Sequence, residues 1–325
     1  MKFRSIFEIK TSDEFQAKAL EVFGYQYQNN SVYREFCSLL SKSQDNVKHL
    51  KDIPFLPIDF FKSKKIVPPS EPPKTIFTSS GTTGSVTSKH FVLDTKIYED
   101  SYTKAFDLFY GDITNYCVLA LLPSYLERKG SSLIYMVDDL IKKSNHPESG
   151  FYLHDIDLLK SKIEDMDKKG IKILLIGVSF ALLDMVEKYS FQLKHTIVME
   201  TGGMKGRRKE MIREELQGIL KQGFGVDHIH SEYGMTELLS QGYSKGEGIF
   251  NTPPWMKILI RDPEDPMAYL SPGKTGGVNV IDLANIHSCA FIATQDLGKA
   301  YADGGFEILG RFDNSDIRGC NLMVL

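Results

Sequence analysis

The chain has 325 residues, 42% of them apolar and 25% charged, with a formal net charge of −3. That length exceeds what one small core needs and calls for one multi-lobed domain or two joined ones. The composition is globular, and the charge balance offers no basic field for a nucleic-acid backbone.

The N-terminal residues MKFRSIFEIKTSDEF have no apolar core or small-residue cleavage site, so no signal peptide is expected. The most apolar stretch, Ile171 to Leu183, is interrupted by Lys172, Gly177 and Ser179 and is too short to span a bilayer. Cysteines stand at 37, 117, 289 and 320 without a CxxC pair, which excludes a zinc knuckle or thioredoxin-like motif. Reduced thiols in a cytoplasmic protein are the expectation.

Thr11-Ser12-Asp13-Glu14 is a capping box that opens a helix through about Phe23. A second helix is predicted over Tyr33 to Leu40. The proline-rich stretch from Ile53 to Pro73 reads as irregular or extended chain leading into a strand at Thr75 to Thr78. Strands and helices then alternate. Strands are predicted at Val118 to Leu122, Ile171 to Ile176, Thr196 to Met199 and Val226 to His230. Helices are predicted at Ser131 to Ile141, after a capping Ser179, and from Arg207 to Gln222. The last would bury Ile212, Leu216, Ile219 and Leu220 and stop at Gly223. This order implies an α/β sheet with helices on its faces. After Gly246, short strands and Gly/Pro turns predict a smaller β lobe. The expected division is a helical N-terminal region at 1–74 packed on the main domain, an α/β core at 75–245 and a β-rich lobe at 246–325.

Thr78-Ser79-Ser80-Gly81-Thr82-Thr83-Gly84 follows a predicted strand, with Lys89 five residues on. Glycines let backbone N–H groups approach an anion, hydroxyls donate to phosphate oxygens, and a lysine adds charge. The run lacks the Gly-Lys-Ser/Thr of a Walker A loop. By itself it is equally a flexible surface loop.

Three further motifs follow: Tyr233-Gly234-Met235-Thr236-Glu237, Thr294-Gln295-Asp296-Leu297-Gly298, and Gly310-Arg311-Phe312-Asp313 with Ile317-Arg318-Gly319. With the Ser/Thr/Gly loop, and in this order, they resemble the signature segments of the adenylate-forming superfamily. Gln295 stands where that pattern usually has glycine. Pro253-Pro254-Trp255-Met256-Lys257 and Arg318-Gly319-Cys320 are similar to the LuxE-type acyl-protein synthetases.

The resemblance implies an α/β fold, the large N-terminal domain of an adenylate-forming enzyme with layered sheets and a small β lobe. The usual C-terminal domain with its catalytic lysine is expected to be lacking. It implies ATP-dependent activation of a carboxylic acid, with a fatty or aromatic acid favoured by apolar walls near 122–133, 176–180 and 199–203. It further implies transfer to a cysteine thiol for a partner reductase. Coenzyme A or a carrier protein is the alternative acceptor, and a nucleotide-binding subunit without chemistry is the reading from another class.

The roles carried over are these. Thr78, Ser79, Ser80, Gly81, Thr82, Thr83, Gly84 and Lys89 would embrace the ATP phosphates. Thr236 would bind the α-phosphate and Glu237 a Mg²⁺ ion, which suits a hard oxygen donor. Tyr233, with Gly234 beside it, would stack on adenine, unless it is a core tyrosine. Gly202 and Gly203 would line adenine or the acyl pocket. Asp296 would take the ribose hydroxyls and Arg311 the ribose or α-phosphate, unless they form an ordinary ion pair. Cys320 would accept the acyl group as a thioester, with Cys289 as its rival. Lys205, Arg207 and Arg208 are a basic cluster for pyrophosphate or a solvated helix face. His228 and His230, expected on one face of a strand, are more simply a structural pair than metal ligands.

Overall fold

The computed structural model describes residues 3–69, 72–80, 86–124, 127–202 and 211–312. The chain forms two compact units, one of Met1–Pro72 with Pro254–Leu325 and the other of Pro73–Pro253.

The first unit opens with α1 (Ser12–Asn29) and α2 (Ser31–Leu39), then β1 (Leu56–Pro57) and α3 (Phe60–Ser63). The capping box forms: the Glu14 N–H donates to Thr11 Oγ1 at 3.2 Å, and the Thr11 N–H donates to Glu14 Oε2 at 3.1 Å. Such a cap stabilises a helix by about 0.5–2 kcal/mol. The proline-rich stretch is extended at β1, within the irregular or extended chain expected, and departs from that only in the short helix α3.

The second unit holds β2 (Thr75–Thr78), β3 (Lys89–Val92), α4 (Thr95–Tyr110), β4 (Cys117–Leu121), α5 (Ser132–Ser144), β5 (Gly150–Phe151) and α6 (Ile156–Lys168). It continues with β6 (Ile173–Gly177), α7 (Ser179–Lys188), β7 (Thr196–Glu200), α8 (Arg213–Phe224), β8 (His230–Tyr233), β9 (Gly242–Ser244) and β10 (Phe250–Asn251). Strands β5, β4, β6, β7 and β8 lie side by side and parallel. Next to β8, β9 and β10 run antiparallel. Every residue of β4 and of β6 is buried, as a parallel sheet covered on both faces requires. Strands β2 and β3 form a two-stranded antiparallel sheet of their own.

The first unit resumes with β11 (Met256–Arg261), β12 (Gly276–Asp282), β13 (Phe291–Ala300) and β14 (Phe306–Arg311), an antiparallel run with β1 parallel to β13. Its core is aromatic: Phe23, Tyr33 and Phe55 all pack on Phe291.

Several details differ from expectation. Ser179 does not cap α7 as its N-cap; it is the first helical residue, and its side chain is used elsewhere. Helix α8 buries Leu216 and Leu220 but exposes Ile219, and exposed Ile212 precedes the helix as its N-cap, so the buried stripe is narrower than the apolar pattern. It ends at Gly225 in the left-handed region, whereas Gly223 is helical and packs against Val186. Strand β8 starts at His230, so His228 lies before it and shares no strand face with it.

Candidate functional site

Thr78 and Ser79, the first residues of the Ser/Thr/Gly motif, sit at the neck of the β2–β3 hairpin. Thr78 is the register partner of Lys89, whose side chain is exposed. Just beyond, the Ser79 N–H donates to the Ser88 carbonyl at 3.2 Å, and the Ser88 N–H donates to Ser79 Oγ at 2.9 Å. These two bonds close the neck and leave Ser80 exposed at the base of the loop. Gly81, Thr82, Thr83 and Gly84 lie outside the described residues.

Three contacts anchor the hairpin. Its Phe77 is buried edge-on against Tyr98 of α4 and Tyr135 of α5, both rings at 5.5 Å. The Thr78 N–H donates to the Gly130 carbonyl at 2.7 Å. Fully buried His90 on β3 places Nδ1 2.8 Å from the Thr236 carbonyl oxygen. A carbonyl only accepts, so Nδ1 carries the proton. The hairpin is thus tied directly to the turn holding Thr236 and Glu237, which the sequence brought forward as a separate motif. His90 was passed over there; its one signal is its place beside Lys89.

That turn follows β8, at the carboxyl ends of the parallel strands, where open α/β sheets bind ligands. Glu237 is 5% exposed and Thr236 half-buried. Tyr233 is buried and meets Phe250 edge-on at 6.0 Å. At the end of β7, Gly202 adopts a positive φ of 68° with open space where a Cβ would point. Its carbonyl accepts from Ser179 Oγ at 2.9 Å. Ser179 Oγ also lies 3.0 Å from Glu200 Oε2, and Arg213 Nη1 donates to Glu200 Oε1 at 3.3 Å. Glu200 is therefore a buried carboxylate with partners.

Glu232, one residue before Tyr233, is different. Burial, and then the nearby Glu200 charge, push its carboxyl up to about 8. Gly234 leaves room beside it: a Cβ there would displace Glu232 Oε1 and come within 3.4 Å of Gln241 Cγ. Glu232 carried no signal in the sequence, because it lies two residues past the strand predicted over Val226 to His230. His230 lies 3.2 Å from the Tyr110 hydroxyl, and burial, Lys245 and His228 hold its pKa down at about 4. A neutral imidazole against α4 fits a structural role. Among the described residues, no group of three or more His, Cys, Asp or Glu is placed to hold a metal.

In the first unit, Asp296 and Arg311 are register partners on β13 and β14. Arg311 Nε is 3.4 Å from Asp296 Oδ1; the carboxylate is buried and the arginine largely exposed. Gln295 donates to Asp59 Oδ2 at 2.7 Å, so the departure from glycine is absorbed by a local hydrogen bond. Half-buried Arg261 braces this segment by donating to the Val278 and Thr294 carbonyls and to Asn279 Oδ1, with Phe312 over its guanidinium. Cys289 is fully buried, its thiol donates to the Phe291 carbonyl, and burial pushes its pKa far up, so it is not an activated thiol. Gly203, Lys205, Arg207, Arg208 and Cys320 lie outside the described residues.

Residues 6–107 match the acyl-protein synthetase LuxE family. A long-chain-fatty-acid–luciferin-component ligase of Vibrio harveyi is 22% identical, covering 93% of this chain and 85% of that protein. The chain is similar to the LuxE-type acyl-protein synthetases. An open conformation of 2-hydroxyisobutyryl-CoA ligase, in complex with 2-HIB-AMP and CoA, superposes with a TM-score of 0.67 at 12% identity. It covers 93% of this chain and 75% of that one. ATP-bound MatB from Rhodopseudomonas palustris gives 0.53 at 18% identity over 73% of this chain. The chain spans about half the length of MatB, 47% of it. The fold is that of the adenylate-forming ligases. Among the described residues, no helix is long and apolar enough to cross a membrane.

Proposed function

We propose that the protein uses ATP to convert a carboxylic acid into an acyl adenylate and then passes the acyl group to a thiol. The observation that carries this is the His90–Thr236 hydrogen bond, which joins the Ser/Thr/Gly hairpin to the Thr236–Glu237 turn at the strand ends. The LuxE-type match and the adenylate-forming fold support the same reading.

In the first step an oxygen of the acid's carboxylate attacks the α-phosphorus of ATP. An O–P bond forms, the bond to the β-phosphate oxygen breaks, and pyrophosphate leaves. Ser79, Ser80 and the loop amides hold the leaving phosphates, Lys89 offsets their charge, and Thr236 binds the α-phosphate. Tyr233 and Gly202 bound the adenine, and Asp296 and Arg311 serve the ribose and α-phosphate. Most of the acceleration comes from fixed position and fixed charge. Glu237 fits Mg²⁺ as one hard oxygen donor beside phosphate oxygens; when bound, that ion would neutralise phosphate charge. In the second step a thiolate attacks the acyl carbon. A C–S bond forms, AMP leaves, and the thiol proton passes to solvent. Cys320 is the proposed acceptor, for onward delivery to a reductase.

Pyrophosphate exchange across a panel of acids, with intact-mass detection of acylated protein, tests both steps. Cys320→Ser should keep acid-dependent exchange and lose the covalent acyl mass. Undiminished acylation of that variant would move the acceptor elsewhere, and product formed only with added coenzyme A would make it an acyl-CoA ligase.

A further inference from the structure

Strand β13 leaves its ladder with β12 where it carries Asp296. Ala293 pairs with Asn279 and Leu297 with Gly277, so Val278 alone faces residues 294, 295 and 296. Such a bulge gives up ladder hydrogen bonds and re-aims a side chain. Thr294 and Asp296 are both buried in it. The register slips again on the β14 side, where Leu297 pairs with Gly310 but Gly298 with Ile308. The place of the Asp296 carboxylate therefore depends on bonds outside the regular ladder.

Those bonds converge on one carbonyl and one guanidinium. The Asp296 N–H donates to Thr294 Oγ1 at 3.1 Å, and that hydroxyl donates to the Val278 carbonyl at 2.8 Å. Arg261 Nη1 donates to the same carbonyl at 2.9 Å and to Asn279 Oδ1 at 2.8 Å. Its Nη2 donates to the Thr294 carbonyl at 2.6 Å. The arginine thus reaches from β11 across β12 to the bulge on β13. Gly277, its strand partner, leaves the space: a Cβ there would lie 2.5 Å from the guanidinium carbon. Phe312, next to Arg311, covers the guanidinium from 5.6 Å, and its N–H donates to the Gln295 carbonyl at 2.8 Å. Burial lowers the Arg261 pKa, and the Asp296 charge acts against that shift, so the two groups feel each other.

A guanidinium presents its donors in a rigid planar fork and can hold acceptors on two strands at once, whereas a lysine ammonium is a mobile point charge. We infer that Arg261 is a positioning residue for ribose recognition, holding the bulge at 294–296 so that the Asp296 carboxylate meets the ribose hydroxyls. It acts through Asp296. This rests on the adenylation reading, with Asp296 as the ribose carboxylate, and adds a residue that determines nucleotide specificity.

The test is pyrophosphate exchange with ATP, 2′-deoxy-ATP and 3′-deoxy-ATP, driven by a straight-chain fatty acid, on the parent, Arg261→Lys, Thr294→Val and Asp296→Ala. The parent should prefer ATP to the deoxy nucleotides by about ten- to a hundredfold in kcat/KM, the scale of one hydrogen bond to a charged group. Asp296→Ala should lose that preference. Arg261→Lys should shrink it by about tenfold, chiefly through the KM for ATP, because the carboxylate no longer sits where that bond forms. The deoxy nucleotides should be used nearly as well as by the parent. Thr294→Val, which removes the hydroxyl beneath the Asp296 N–H, should shrink the preference by a smaller factor. Circular dichroism establishes that each variant is folded, and Thr294→Val decides alone if Arg261→Lys is not. Equal losses with all three nucleotides would make Arg261 a brace of the fold only and overturn the inference. No preference in the parent, or one that survives in Asp296→Ala, also overturns it and leaves adenylation standing. No exchange with any acid and any nucleotide overturns both.

Discussion

The two units treat buried polar groups in opposite ways. In the first unit, Gln26 donates to the Asn285 and Ile286 carbonyls and accepts from the Ala290 N–H. Asn30 donates to the Ser288 carbonyl, and the Ser288 hydroxyl donates to the Ile66 carbonyl. Among the described residues of that unit, no buried side-chain nitrogen or oxygen lacks a partner. In the second unit Thr201, Gln217, Ser231 and Gln241 each have such an atom; Thr201 follows β7, Ser231 lies in β8 and Gln241 precedes β9. A folded chain keeps unmet polar atoms only where something offsets them. The contrast separates a scaffold that satisfies itself from strand ends that hold polar groups in reserve.

Mutations can break or sharpen that contrast. The largest effect is expected at Glu237. Glu237→Gln should lower acid-dependent pyrophosphate exchange by about a hundred- to a thousandfold with little change in melting temperature, the scale of losing one preorganised electrostatic group. Gln26→Ala should do the reverse. It removes three hydrogen bonds and leaves a cavity, so chemical denaturation should show a loss of about 3 kcal/mol while activity per folded molecule is kept. A Gln26→Ala protein that stays stable but loses exchange would erase the distinction between the units.

His90→Ala should raise the KM for ATP several-fold more than it lowers kcat, because the hairpin loses a bond to the Thr236 carbonyl worth about 0.5–1.5 kcal/mol. His90→Asn retains an N–H donor near the Nδ1 position and should recover part of the loss. Equal effects from Ala and Asn would reduce His90 to a packing residue.

The smallest effect is a stability shift at Glu232. Burial raises its folded-state pKa to about 8, above the ordinary carboxyl value of 4.5. Below 4.5 the carboxyl is protonated whether folded or unfolded, and it has no effect on stability. Between 4.5 and 8 the folded state holds the extra proton, so the residue destabilises the fold progressively as pH rises, and the loss levels off above 8. Glu232→Gln should therefore melt like the parent at pH 4.5 and a few degrees above it at pH 8. A pH-independent difference would mean that the carboxylate is compensated.

Much of this arrangement was legible in the sequence because the relevant signals are local. The capping box at Thr11 needs four adjacent residues, the Ser/Thr/Gly run needs seven, and the apolar runs of β4 and β6 show a covered parallel sheet. Helix α4 was missed: the Thr95–Tyr110 segment mixes Lys, Asp and Glu among its aromatics, and its buried side is defined by Phe77 and the sheet. Gly223 and Gly225 look equivalent as helix stops, and only the packing of Val186 against Gly223 distinguishes them. Glu232 was illegible because its environment comes from pairing with Tyr243 of β9 and from the open Cα of Gly234, both meaningful only after folding. Thr201 just after β7 and Gln241 just before β9 are far apart in the chain, and single-sequence patterns do not connect them.

The separate β2–β3 sheet has a kinetic consequence. Its four residue pairs are not continued by further strands, unlike β6, which is flanked by β4 and β7. Amide hydrogens in β2 and β3 can then exchange with solvent through a local opening that releases Phe77 and His90 and leaves the parallel sheet intact. The amide of Thr78, bonded to Gly130, and that of Ser88, bonded to Ser79 Oγ, are markers of that opening. A nucleotide held by the loop would slow their exchange far more than that of Leu174 or Leu175 in the sheet interior, so deuterium uptake reads occupancy of the hairpin without any turnover.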